Sequence, residues 1–165
     1  MSVRIPRQPV SQPLEPVKVV YILDEDRGAS EALCDLLARS GYQTRMLGAT
    51  AEALAALRAS DGPCALFFNV EAYGQTLDGR GFASLIGALL EDPALARSHI
   101  FAVISSTPED VEWTLGKLLA RLGAGVIGKP CDACTIEAYL TLAGRHGAQQ
   151  PATEITLTRY ALDGA

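Results

Sequence analysis

The sequence contains no run of Lys or Arg, few aromatic residues (6%), two His and four Cys in 165 residues. No apolar stretch approaches the roughly 20 continuous residues that cross a bilayer. With a net charge of −5 and no basic cluster, there is no electrostatic footprint for nucleic-acid phosphates or anionic lipid. Nucleic acid and membrane are therefore not expected as direct partners. Cys34, Cys64, Cys131 and Cys134 have neither the density nor the spacing of a secreted disulfide framework. Residues 1–16 carry Pro6, Pro9, Pro13 and Pro16 where a signal peptide would have its apolar segment. A cytoplasmic location is the expectation.

Hydrophobic residues make up 48% of the chain and charged residues 20%, enough apolar material for one core. The length suits a single domain with tails. Proline removes backbone donors and fixes φ, so residues 1–16 are expected to be a tail. Residues 17–146 are expected to form the domain, and 147–165 a second tail. In that second tail the alternation of EITLTRY predicts a short strand, an added edge or a dimer contact.

Between the tails, strand-sized apolar runs alternate with helix-period segments five times. The strands are expected at 18–23 (KVVYIL), 43–47 (QTRML), 64–69 (CALFFN), 99–105 (HIFAVIS) and 124–128 (AGVIG). The first, third and fourth are nearly continuous in apolar character, as in a parallel sheet covered on both faces.

The helices have readable phases. After Asp26, the pattern turns Ala29, Leu33, Leu36 and Leu37 inward, with Glu31, Asp35 and Arg39 opposite. Thr50 is the expected cap of a second helix whose Ala51, Leu54 and Leu57 face inward. A third runs from about Gly81 to Leu90. Thr107-Pro108-Glu109-Asp110 supplies a cap, a Pro at the first helical position and acids in the first turn of a fourth. In that helix Val111, Leu115, Leu118, Leu119 and Leu122 are expected inward, which leaves Trp113 outward beside Gly116, Lys117 and Ala120. A fifth spans roughly Asp132 to Arg145.

Right-handed crossovers then give a flavodoxin-like, doubly wound (βα)5 α/β fold with strand order 2-1-3-4-5. Ligands of such sheets sit above the strand C-termini at the switch point between strands 1 and 3. That edge collects Asp24, Glu25 and Asp26 from strand 1, Asn69 from strand 3, Ser105 and Ser106 from strand 4, and Lys129 from strand 5.

Over residues 18 to about 145 the chain resembles the receiver domain of bacterial two-component response regulators. The resemblance is carried by VVYILDEDRGASEALCDLLARSGY in the first βα unit, LDG (77–79), IFAVIS in the fourth strand and GKP (128–130). It implies that Asp24 and Glu25 match the acidic pair that holds Mg²⁺. Ser105 matches the hydroxyl residue that bonds the phosphoryl group, and Lys129 the lysine that pairs with it. Asn69 falls where the family has its phospho-acceptor aspartate.

That departure governs the expectation. Phosphoryl transfer needs an anionic oxygen in line with phosphorus, whereas a carboxamide oxygen is neutral and delocalised. Phosphorylation at position 69 is not expected, and Mg²⁺ affinity should be weak or lost because one carboxylate is missing. Lys129 is expected to bond the Asp24 or Glu25 carboxylate and the Asn69 amide oxygen. The segment VEAYGQTL after Asn69 is longer than the family's loop and lacks its Met-Pro, and Val126 stands where the family commonly has a Tyr or Phe that swings on activation.

The expected function is a non-enzymatic, phosphorylation-independent receiver that acts as a protein-interaction module. Its partners would be a histidine kinase, a phosphotransferase, an output protein or a second copy, with Trp113, Lys117 and Ala120 as the docking residues. Two rival readings remain open at this point. Glu71 or Asp78 could serve as a displaced phospho-acceptor. Cys131 and Cys134, a CxxC at a helix N-terminus, could form a thiol switch.

Overall fold

The computed structural model describes residues 16–24, 27–69 and 80–146, excluding the side chains of 80–83 and 144–146. Its strands are β1 (Val19–Leu23), β2 (Gln43–Leu47), β3 (Cys64–Asn69), β4 (Ile100–Ser105) and β5 (Gly125–Gly128). All neighbours are parallel, in the order β2-β1-β3-β4-β5. The helices are α1 (Arg27–Arg39), α2 (Thr50–Arg58), α3 (Arg80–Glu91), α4 (Pro93–Ser98), α5 (Pro108–Leu122) and α6 (Ala133–His146). The doubly wound α/β class and the 2-1-3-4-5 order are as the alternating pattern implied.

Side chains alternate across each strand, which divides the core into two layers. Leu66, Phe68, Phe101, Val103 and Val126 meet α2, α3 and α5 through Leu57, Leu85 and Leu119. On the opposite face Val20, Ile22, Phe67, Ala102 and Ile127 meet α1 and α6 through Leu37, Ile136 and Tyr139. The interior strand β4 is buried at all six positions, whereas the edge strand β2 is buried only at Leu47. This contrast explains why IFAVIS reads as a continuous apolar run and QTRML does not.

Several sequence expectations need correction. The short helix α4 was not anticipated; Pro93 at its start and Asp92, whose carboxylate accepts the Leu95 N–H at 3.1 Å, set it off from α3. His99 precedes β4 rather than beginning it. The N-cap of α2 is Ala49 and not Thr50, and Glu52 in the first turn accepts the Gly48 N–H at 3.1 Å instead. Ala53, not Ala51, is the buried alanine there.

The inward face of α1 is Ser30, Cys34 and Leu37, with Leu33 partly buried, while Ala29 and Leu36 are exposed. Two of these buried side chains, Ser30 and Cys34, are small, which the leucine pattern alone does not reveal. In α5, Val111, Leu119 and Leu122 are buried and Leu115 packs against the core, but Leu118 is 38% exposed. The proline-rich start, the EITLTRY segment, Glu25, Asp26, Glu71, Asp78 and the VEAYGQTL loop lie outside the described residues.

Candidate functional site

The strand register builds the site. Leu23 is level with Phe68, Asn69 with Ile104, and Ser105 with Gly128. One step beyond those rungs the chain leaves the sheet, so Asp24, Asn69, Ser105 and Lys129 come together along one C-terminal edge. The switch point between β1 and β3 lies directly beneath Asp24 and Asn69.

Asn69 Nδ2 donates to Asp24 Oδ1 at 3.0 Å. Both residues are partly buried, as is Lys129. A carboxylate at position 69 could not make this bond; it would set two anions side by side. The carboxamide supplies an N–H to Asp24, which offsets part of the charge a cation would otherwise neutralise.

Ser105 is 1% exposed. Its Oγ accepts the Thr107 N–H at 3.0 Å and lies 3.4 Å from Thr107 Oγ1. Thr107 was read from sequence as a side-chain cap. It does stand at the N-cap of α5, yet its hydroxyl caps no helical N–H. Ser105 therefore organises the turn into α5, the helix that carries Trp113. Its carbonyl also accepts the Lys129 N–H at 2.8 Å, tying the end of β5 to the end of β4. The Lys129-Pro130 peptide is cis.

Mg²⁺ requires several oxygen ligands in an octahedral arrangement. Among the described residues no group of three His, Cys, Asp or Glu comes together to hold a metal. Asp24 is the described member of the acidic pair, and one of its oxygens faces an amide N–H.

The CxxC pair flanks the site. Cys131 is partly buried and Cys134 exposed, both as free thiols. Burial pushes the Cys131 thiol above its ordinary value, with nearby Lys129 opposing the effect. Between them, Asp132 accepts from Thr135 N at 2.8 Å and Thr135 Oγ1 at 3.0 Å, which holds its carboxyl below the usual range. Asp132 thus serves α6 as a capping acid.

Two further buried polar side chains bond backbone groups within the sheet. Tyr139, 3% exposed, donates its hydroxyl to Phe101 O and accepts the Gly125 N–H at 3.0 Å. His99, also 3% exposed, accepts the Cys64 N–H on Nδ1 at 3.0 Å. A polar-tipped Tyr at helical spacing between Ile136 and Ala143 was the available signal for the first.

Trp113 is 92% exposed, and Lys117 and Ala120 are exposed beside it on α5. Val126 is 1% exposed and level with Val103 inside the sheet. No described helix is long and apolar enough to cross a membrane.

No protein-family model matches this sequence, and no curated protein matches it. Solved structures do. A sensor protein from Polaromonas sp. JS666 superposes with a TM-score of 0.61 at 21% identity, over 79% of this chain and 98% of the other. A CheY-like response regulator receiver domain from Methylobacillus flagellatus gives 0.56 at 22%, over 76% and 98%. An adenylate cyclase from Rhodopirellula baltica gives 0.56 at 15%, over 90% and 99%. At these identities the likeness concerns architecture. Strand order, helix placement and superposition together give this chain the fold of CheY-like response regulator receiver domains.

Proposed function

We propose that this chain is a phosphorylation-independent receiver: a non-enzymatic protein-interaction module of cytoplasmic two-component signalling. The observation that carries the proposal is the 3.0 Å hydrogen bond from Asn69 Nδ2 to Asp24 Oδ1. In a receiver the residue at the end of β3 attacks phosphorus, and the acid at the end of β1 helps hold the metal. Here the first is a carboxamide and the second is engaged by it.

The nucleophile and part of the metal site are thus replaced by one amide–carboxylate hydrogen bond, which joins the strand ends without phosphate. Lys129, at the end of β5, would add its positive charge to the acidic end of β1 and to the Asn69 carbonyl. Residual Mg²⁺ binding by Asp24 and Glu25 would be weak. Val126, buried where receivers carry a swinging aromatic, supports the loss of the readout as well as of the chemistry.

With no phosphoryl switch, output comes from docking. An aromatic residue exposed on α5 beside Lys117 and Ala120 supports a contact surface for a histidine kinase, phosphotransferase or output protein. The raised Cys131 thiol disfavours a thiol switch there, since the thiolate is the reactive form.

The test is incubation with Mg²⁺ and either acetyl phosphate or beryllofluoride. The expected result is no phosphoprotein and no saturable change in Trp113 fluorescence. A stable phosphorylated species would overturn the proposal. If mass spectrometry placed that phosphate on Glu71 or Asp78, the displaced-acceptor reading would replace it.

A further inference from the structure

The last turns of α3 and α5 and the side of α4 enclose an open groove of about 410 Å³. These are the segments that lead into β4 and β5, so the groove lies at the opposite end of the strands from Asp24 and Asn69. Its size falls within the range of small-molecule sites. The floor is apolar: Leu89 and Leu122 are buried, Leu90 and Ala96 half-buried, and Pro93 exposed.

Two exposed arginines border this floor, Arg97 from the last turn of α4 and Arg121 from the last turn of α5. No acid, amide or hydroxyl side chain lines the groove beside them, although the whole chain carries a net charge of −5. A cation suits the C-terminal end of a helix, which accounts for each arginine taken alone. It does not account for two of them around one hollow. The helix ends already have other partners: the Gly123 and Ala124 N–H groups donate to the Ala120 and Leu119 carbonyls at 3.1 and 2.9 Å, and Ser98 Oγ donates to the Ala94 carbonyl at 2.7 Å. Neither arginine forms an ion pair among the described residues.

We propose that this groove binds a small organic carboxylate with a linear apolar body, of the medium-chain fatty-acid class. The hydrocarbon lies on the leucine floor and the carboxylate meets the guanidinium groups, which accept such a head in a forked geometry. A sugar or a base would find no neutral hydrogen-bonding side chain in the lining, and its buried polar groups would go unpaired. The C-terminal dipole ends of α3 and α5 face the groove, which favours a singly charged head over a phosphate dianion.

The test is titration of the ¹⁵N-labelled full chain with octanoate at neutral pH, read from amide chemical shifts. Saturable shifts are expected in segments 89–97 and 120–123, with a dissociation constant of roughly 1 mM. 1-Octanol carries the body without the charge and acetate the charge without the body, and each should bind at least about threefold more weakly. Arg97→Gln and Arg121→Gln should each weaken octanoate about threefold, the scale of an exposed ion pair. Arg97→Glu combined with Arg121→Glu should abolish saturation. Because both side chains are exposed, amide shifts outside the groove should match those of the parent chain and so report an intact fold.

No saturation by octanoate, equal binding of 1-octanol, shifts centred elsewhere on the chain, or an affinity unchanged by the double reversal would overturn the inference. Octyl phosphate binding about tenfold more tightly than octanoate would overturn the carboxylate assignment.

Discussion

In the lower half of the sheet, Tyr139 satisfies both the Phe101 carbonyl and the Gly125 N–H inside the core, and His99 Nδ1 receives the Cys64 N–H. At the opposite edge Asp24, Asn69 and Lys129 are only partly buried, and an amide stands where the resemblance calls for a carboxylate. Both regions join neighbouring strands through polar side chains. In the first, water is excluded and any lost partner leaves an orphaned group. In the second, water can replace a lost partner, so the residues there are freer to change their chemistry without costing the fold.

The largest effect should come from Tyr139→Phe. Removing the hydroxyl strands a buried N–H and a buried carbonyl, and we expect a loss of about 2–4 kcal/mol in urea unfolding. A loss under about 0.5 kcal/mol would break the comparison. Gly125 belongs to the same contact: a Cβ there would meet the Tyr139 ring at 2.5 Å. Gly125→Ala should therefore destabilise by about 1–3 kcal/mol through overpacking.

The next effect concerns Asn69→Asp, which places a second anion beside Asp24. We expect a destabilisation of roughly 1–2 kcal/mol in EDTA, reversed by millimolar Mg²⁺. Mg²⁺-independent stability of this variant would mean that the edge does not correspond to a receiver's metal pocket.

His99 should make the base of the sheet sensitive to acid. Burial holds its imidazole below the ordinary value of 6.5, although a hydrogen bond to the Leu57 backbone acts in the opposite direction. The unfolded chain therefore takes up a proton at a higher pH than the folded chain. The stabilising contribution of neutral His99 is complete above about 6.5 and is lost as pH falls below it, by at most about 1.4 kcal/mol per pH unit. His99→Asn keeps an acceptor for the Cys64 N–H but does not titrate, and should flatten this dependence in unfolding curves measured between pH 7 and 5.

The smallest effect should be that of Trp113→Ala. A side chain 92% exposed has little to lose on folding, so stability should stay within about 0.5 kcal/mol of the parent chain while binding through α5 weakens.

The sheet and its order were legible because β1, β3 and β4 announce burial on both faces by unbroken apolar runs, and parallel crossovers admit few topologies. Asp24, Asn69, Ser105 and Lys129 were legible as a group because each ends a strand. The phases of α1 and α5 were read less well. Ser30 and Cys34 carry weak apolar signals, yet they face the core from α1. Leu118 carries a strong one but lies past the edge of the buried face. Tyr139 carries a local signal in its polar tip on the inward face of a helix and His99 carries none, and the bonds themselves are not local: the Phe101 carbonyl and the Cys64 N–H lie 38 and 35 residues away.

The sequence by itself determined the number of strands, their order and the amide at the end of β3, because periodicity, apolar runs and residue identity are local properties of the chain. Only the tertiary structure decided that Asn69 turns its N–H toward Asp24, that Ser105 serves the turn into α5, and that Leu118 lies exposed on that helix. Those outcomes depend on strand register and on which neighbours cover each helix, and both are set by long-range packing that no short window of sequence encodes.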